Sequence, residues 1–240
     1  MAAHSNATVL LFTLPFSLLP LITHADTFMS RINGSSPPIS GSLEHRLAQL
    51  APHANPHVLQ LAAKALSCAA PSAQRLAVID FSLPSTEERL WVFDLQQQTL
   101  LFEELVSHGS GSGDAKAEIF SNTPESYQSS IGLFRTMNSY YGRNGYSLRL
   151  EGLEPNINDL AYERAIVIHG ADYVSDDFIQ QTGRLGRSQG CPAVREEITY
   201  PLIDSLKDEQ YVFAYYPDQE WLETSAFLAC SSPAGHLAQR

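Results

Sequence analysis

The residues of this chain best equipped for chemistry are one thiol and one imidazole. Cys191 stands in Arg187-Ser188-Gln189-Gly190-Cys191-Pro192-Ala193, and His169 follows the apolar run Ala165-Ile166-Val167-Ile168 about twenty residues earlier. A thiol of ordinary pKa, about 8.5, is only a few per cent thiolate at neutral pH, so a nucleophilic cysteine needs a base nearby. A glycine adjoins each group. Gly190 before the thiol lets backbone amides approach a developing oxyanion, and Gly170 follows the imidazole. A single histidine on a strand is more often a satisfied structural residue. This one gains weight from its position where a buried strand emerges, and from the small-residue turn at Cys191 leading into a helix whose N-terminus favours a thiolate. The pair reads as a site for cysteine acyl transfer.

Other groups cluster around these two in sequence. Ser188 reads as turn support by hydrogen bonding rather than as a second nucleophile. Arg184 and Arg187 flank the loop before Cys191 and offer guanidinium forks to a substrate carboxylate; solvated loop charge is the competing reading. Tyr140, Tyr141 and Tyr146 are offered as groove lining, against packing in the core or at its rim. His108 with Gly109-Ser110-Gly111-Ser112-Gly113 lacks the lysine and spacing of a phosphate-binding loop and reads as a tight turn near the site. Asp172, Asp176 and Asp177 follow His169, but no second histidine stands at ligand spacing. No metal and no cofactor are expected.

The elements that must position these groups change character along the chain. Residues 26–42 are rich in Ser, Pro and Gly and read as a flexible linker. Leu43 to Leu50, capped by Ser42, and a stretch opened by Asn55-Pro56 read as helices, a small N-terminal helical extension over 43–75. From Leu76 short β-branched and aromatic runs take over: Leu76–Phe81, Arg89–Asp94, Thr99–Ser107, Ile131–Thr136, Tyr146–Leu150, Ala165–His169 and Tyr211–Tyr216. They predict a mostly β domain, a sandwich or barrel, over 76–218, with a C-terminal tail over 219–240. Arg195–Leu206 reads as a helix that Pro201 kinks or divides.

The totals bound what such a domain does. The chain has 26 acidic against 15 basic residues, a net charge of −11, which argues against nucleic acid and anionic membrane surfaces as partners. From Ala7 to Thr23 the chain is almost wholly apolar, and Thr23-His24-Ala25 supplies a small-x-small site. Residues 1–25 therefore read as a secretory signal peptide, although its start carries no Lys or Arg. Export to the periplasm or cell envelope is expected, with no membrane span after cleavage. Of three cysteines, Cys68 and Cys230 either pair as a disulfide or are small buried residues; pairing leaves Cys191 free.

The pattern His169-Gly170, then Ser188-x-Gly190-Cys191, resembles the active-site signature of the YkuD-type murein L,D-transpeptidases. The branch with Ser-x-Gly-Cys-Pro-Ala at the nucleophile is similar over Ile168–Ser175, Gly183–Ala193, His108–Gly113, Phe120–Ser126, Ser129–Gly132 and Tyr146–Leu150. The likeness covers roughly Leu90 to Asp218. It implies an L,D-transpeptidase β-fold, Cys191 as nucleophile, His169 as its base and the Gly170 carbonyl as the group fixing the imidazole. It also implies peptidoglycan stem peptides as donors, with a thioester formed as D-alanine leaves. The acceptor is then an amine, giving a 3→3 cross-link or attachment of a D-amino acid or a wall-anchored lipoprotein. Water as acceptor would make the protein an L,D-carboxypeptidase or hydrolase, and an unreactive Cys191 would leave a wall-binding module. Many members have His at the position of Gln189, and Asn or Arg where this chain has Pro192-Ala193; the interval from His169 to Cys191 is also longer than is common.

Overall fold

A computed structural model describes residues 41–230, together with Met1. The leader and most of the linker lie outside the described residues. Two helices open the described residues: α1 (Leu43–Leu50), whose cap Ser42 accepts from the His45 amide, and α2 (Pro56–Ala69), capped by Asn55 with Pro56 in the first turn. Eight strands follow: β1 (Arg75–Asp80), β2 (Leu90–Asp94), β3 (Thr99–Glu104), β4 (Gly132–Gly142), β5 (Gly145–Gly152), β6 (Val167–Gly170), β7 (Ala193–Val194) and β8 (Tyr211–Tyr215). Between and after them lie α3 (Asp176–Thr182), α4 (Glu196–Leu206), α5 (Gln219–Thr224) and α6 (Ala226–Ala229).

The strands form one mixed sheet in the order β3-β2-β1-β8-β4-β5-β6-β7. β1–β8 and β6–β7 are parallel and the other pairs antiparallel. The chain leaving edge strand β3 returns to the opposite edge: Ser107 bridges Ala193, its amide donating to the Ala193 carbonyl at 2.9 Å, and Gly109 bridges Ser188. The sheet thus curls into a nearly closed barrel, and the closure is made beside Cys191.

Alternation along the strands builds two cores. Leu76 and Val78, Trp91 and Phe93, and Phe213 and Tyr215 face outward into one apolar cluster; Ala77 and Ile79, Leu90 and Val92, and Val212 and Ala214 face the barrel interior. The interior is closed by Leu202, Ile203 and Leu206 of α4. The outer cluster is covered by Leu47 of α1 and by Val58, Leu59 and Leu66 of α2. Each such side chain gains about 1.5–3 kcal/mol by leaving water, so the helical pair is a layer the strands require. Residues 219–229, read as a tail, form α5 and α6 on the same cluster. Trp221 is fully buried there and donates from its indole nitrogen to Glu154 at 3.0 Å.

Four further differences from the expectation have local causes. β4 runs past Thr136 to a turn at Gly142–Gly145, across a register shift between Thr136 and Ser139 that interrupts its alternation. β7 is two residues long, too short to show a period. α4 is not divided by Pro201: the carbonyl deprived of its partner is that of Glu197, in the exposed first turn. α3 was missed, although Ser175 caps it through the Phe178 amide and Gly183 ends it with φ +80°.

Cys68 at the end of α2 and Cys230 after α6 form a disulfide across 162 residues of sequence. Closing so long a loop restricts the unfolded chain. Cys68→Ser or reduction is expected to cost about 2–5 kcal/mol in denaturant unfolding. Equal stability of the reduced and oxidised protein would show that the bridge contributes nothing.

Candidate active site

Cys191 and His169 are brought together by parallel pairing of two short strands. His169 on β6 is in register with Ala193 on β7, so Cys191 lies two residues before the partner of the imidazole. Both side chains line one open cleft of about 950 Å³, with Tyr140, Arg164, Tyr173 and Arg187 among its walls. Each is almost covered, 8 % exposed for Cys191 and 5 % for His169, so they sit on the cleft floor. Cys191 is the free cysteine.

The turn carrying the thiol is fixed by side chains on both sides. The Ser188 hydroxyl donates to the Cys191 carbonyl at 2.6 Å and accepts from the Gly190 amide at 3.1 Å. The Ser129 hydroxyl donates to the Gly190 carbonyl at 3.0 Å and accepts from the Gly109 amide at 2.9 Å. Gly190 has φ +118°, and a β-carbon there would stand 2.8 Å from the Gln128 carbonyl. Only glycine fits that backbone without strain. Since the Gly190 amide is taken by Ser188, this residue supports the turn. The Cys191 amide donates to no acceptor among the described residues.

The electrostatics describe a neutral resting pair. Burial pushes the Cys191 thiol up; the Val167 amide, 3.4 Å from the sulfur, and the positive charge of Arg164 oppose it. The thiol donates to the Ala165 carbonyl at 3.7 Å. Ala165 itself has φ +53°, a left-handed conformation that costs a non-glycine residue about 1–2 kcal/mol. Burial pulls His169 down, partly offset by its bond to Gly170. His169 Nδ1 lies 2.9 Å from the Gly170 carbonyl. A carbonyl only accepts, so Nδ1 carries the proton and Nε2 keeps its lone pair for the cleft. Among the described residues no hydrogen bond joins the imidazole to the thiol. A gap of this kind is common before substrate binds. At Gly170 a β-carbon would collide with the Thr199 hydroxyl, so glycine lets α4 pack against the end of β6 beside His169.

The remaining sequence candidates divide. Tyr140 and Arg187 line the cleft; Arg184 and Tyr146 do not. Arg184 Nε is paired with Asp114 at 2.7 Å, and Arg187 Nη1 reaches the same carboxylate at 3.4 Å and the Gly113 carbonyl at 2.8 Å. Tyr146 stacks on Tyr200 at 5.0 Å and donates to Asp204 at 2.8 Å, on the interior-facing side of the β4–β5 hairpin. His108 is buried beside the turn that carries Cys191, its carbonyl accepting from the Ser188 amide at 3.0 Å. Its Nδ1 accepts from buried Arg89 at 2.9 Å, and burial lowers its pKa to about 4. Among the described residues no cluster of three His, Cys, Asp or Glu side chains is placed to hold a metal, and no helix is long and apolar enough to cross a membrane.

Sequence reasoning missed Arg164. Its guanidinium donates to the Ser121 and Gln128 carbonyls at 2.5 and 2.6 Å and to the Ser130 hydroxyl at 2.5 Å, tying the 121–130 loop to the cleft. A charge placed immediately before the apolar run to His169 was the available signal.

Residues 50–215 match the L,D-transpeptidase catalytic domain family. The chain belongs to that family. No curated protein matches it in sequence. Among solved structures it is similar to the L,D-transpeptidase from Mycobacterium smegmatis, 12 % identical with a TM-score of 0.37, covering 60 % of this chain and 59 % of that one. It is also similar to a K307A mutant of the helical cell shape determining protein Pgp2 from Campylobacter jejuni, 13 % identical, TM-score 0.39, covering 61 % and 48 %. A third is the L,D-transpeptidase from Xylanimonas cellulosilytica, 16 % identical, TM-score 0.35, covering 60 % and 61 %. The chain thus spans between about half and three fifths of the length of these structures.

Proposed function

We propose that the protein is an exported cysteine L,D-transpeptidase that takes peptidoglycan stem peptides as acyl donors. The observation carrying this reading is the shared cleft floor of Cys191 and His169, in a chain of this family, with the imidazole Nδ1 held by Gly170. Nε2 takes the thiol proton as sulfur adds to the carbonyl of the third stem residue. The Cys191 amide donates to the oxyanion. His169 returns the proton to the departing D-alanine amine, leaving a thioester on Cys191. It then deprotonates the incoming amine, whose attack releases the sulfur. No metal or cofactor enters this sequence. An amine of a neighbouring stem gives a 3→3 cross-link, and a D-amino acid or the lysine of a wall-anchored lipoprotein would be accepted by the same chemistry. The leader expected at residues 1–25 would place the protein in the periplasm or envelope, where such stems are found.

The test is product analysis after incubation of the purified protein with stem tetrapeptides. Dimers with released D-alanine are expected. Tripeptide monomers alone would assign water as the acceptor, and no released D-alanine would refute the donor reaction.

A further inference from the structure

Ion pairing among the described residues leaves particular cations over. Arg184 and Arg187 share Asp114, Arg195 is held by Glu104 and Asp176, and Arg135 by Glu151 and Glu209. Arg143 and Arg149 have neither a carboxylate within ion-pair distance nor a hydrogen-bond acceptor among the described residues. In a chain with 26 acidic and 15 basic residues, two such arginines on one hairpin beside the cleft call for an explanation; Lys64 and Lys116, also without a carboxylate at ion-pair distance among the described residues, do not line it.

Arg149 is also held in place. Its guanidinium carbon lies 4.3 Å from the centre of the Tyr140 ring and 5.4 Å from that of Tyr162. Tyr140 and Val167 line the cleft, as does Arg143 at the tip of the same hairpin; Arg149, against Tyr140 and opposite Val167, stands just beyond that lining. The strand register fixes which way Arg149 faces. Ser147 is opposite His169 and Arg149 opposite Val167, whose amide contacts the Cys191 sulfur, while Leu148 and Leu150 between and beyond them fill the barrel interior. Arg149 therefore lies on the face that carries His169, one side-chain row away, roughly 7 Å along the strand. Contact with the ring faces restricts the guanidinium while leaving its N–H edges free, the edges that bind a carboxylate bidentately.

We propose that Arg149, clamped by Tyr140 and Tyr162 and reinforced by the charge of Arg143, is a subsite for a free carboxylate of the acyl-donor peptide. The proposal rests on the acyl-donor reading above. An extended peptide advances about 3.3–3.6 Å per residue, so the carboxylate belongs to a residue within two of the carbonyl attacked by Cys191. Two sources satisfy that spacing: the terminal carboxylate of the leaving residue, and the free carboxylate of an acidic residue upstream.

The test is calorimetric binding of a stem tetrapeptide to the full chain carrying Cys191→Ala, so that no turnover occurs. Three ligands are compared: the free acid, the peptide amidated at its terminus, and the peptide amidated at the upstream acidic residue. Adding Arg149→Gln is expected to weaken the free acid about tenfold to a hundredfold. Arg149→Lys, which keeps charge without the fork, should fall between. One amidated peptide should lose the same factor on the parent and nothing more on Arg149→Gln, which names the source. Equal affinity of parent and Arg149→Gln, or indifference of the parent to both amidations, overturns the subsite; the amidation arm holds even if the variants fold poorly. D-alanine release measured with Cys191 intact separates the two claims. Release that is insensitive to Arg149→Gln sinks the subsite alone, whereas Arg149-dependent binding without release sinks the transfer reaction alone.

Discussion

Cys191→Ala is expected to reduce release of D-alanine from a stem tetrapeptide about a million-fold, to the uncatalysed background, while leaving the thermal unfolding profile close to that of the parent. Removing a nucleophile that acts as a unit with its base costs about as much as removing the whole catalytic group. The fold should tolerate the change because the turn is held by backbone groups and by Ser188 and Ser129, and the thiol itself makes only two weak contacts, to Val167 and Ala165. Release in the variant within tenfold of the parent would exclude Cys191 as the attacking group.

His169→Asn should lower kcat/KM by about a hundredfold to ten-thousandfold and change the pH profile in a defined direction. Burial lowers the His169 pKa more than the Gly170 bond raises it, so the imidazole stays neutral to below its ordinary 6.5. As a base it works when unprotonated. The parent rate is therefore flat near neutrality and falls only as pH drops through that lowered value. Burial shifts the thiol the other way, upward, which favours the protonated thiol at rest and a proton that moves during attack. In His169→Asn the acid limb should disappear, and the residual rate should climb about tenfold per pH unit towards the thiol pKa. An acid limb retained in the variant, or one centred above 6.5 in the parent, would contradict the assigned role.

Much of the barrel was legible because its strands are short runs of Val, Ile, Leu and aromatics. The caps of α1 and α2 were legible because Ser42 and Asn55-Pro56 act within one turn of sequence. What local pattern did not show was partnership across long separations. The reason for α1 and α2 lies in the outward faces of β1, β2 and β8, and the fit of Trp221 depends on Glu154, 67 residues away. At the site, the thiol and imidazole stood out by chemistry alone. Arg184 and Tyr146 were plausible by type, yet Asp114 and the Tyr200–Asp204 corner hold them, and no sequence spacing reveals either contact. Arg164 escaped notice because an arginine beside an apolar strand looks the same whether it faces water or the cleft. Only its bonds to Ser121, Gln128 and Ser130, more than 30 residues away in sequence, separate those cases.

The account depends on a covalent acyl-enzyme at one sulfur. Intact-mass spectrometry of the protein quenched in acid during turnover of a stem tetrapeptide tests this directly. The expected result is a population heavier by the tripeptide acyl group, mapped by digestion to Cys191 and absent from Cys191→Ala. D-alanine release with no adduct at any quench time, or an adduct mapped to another residue, would contradict it.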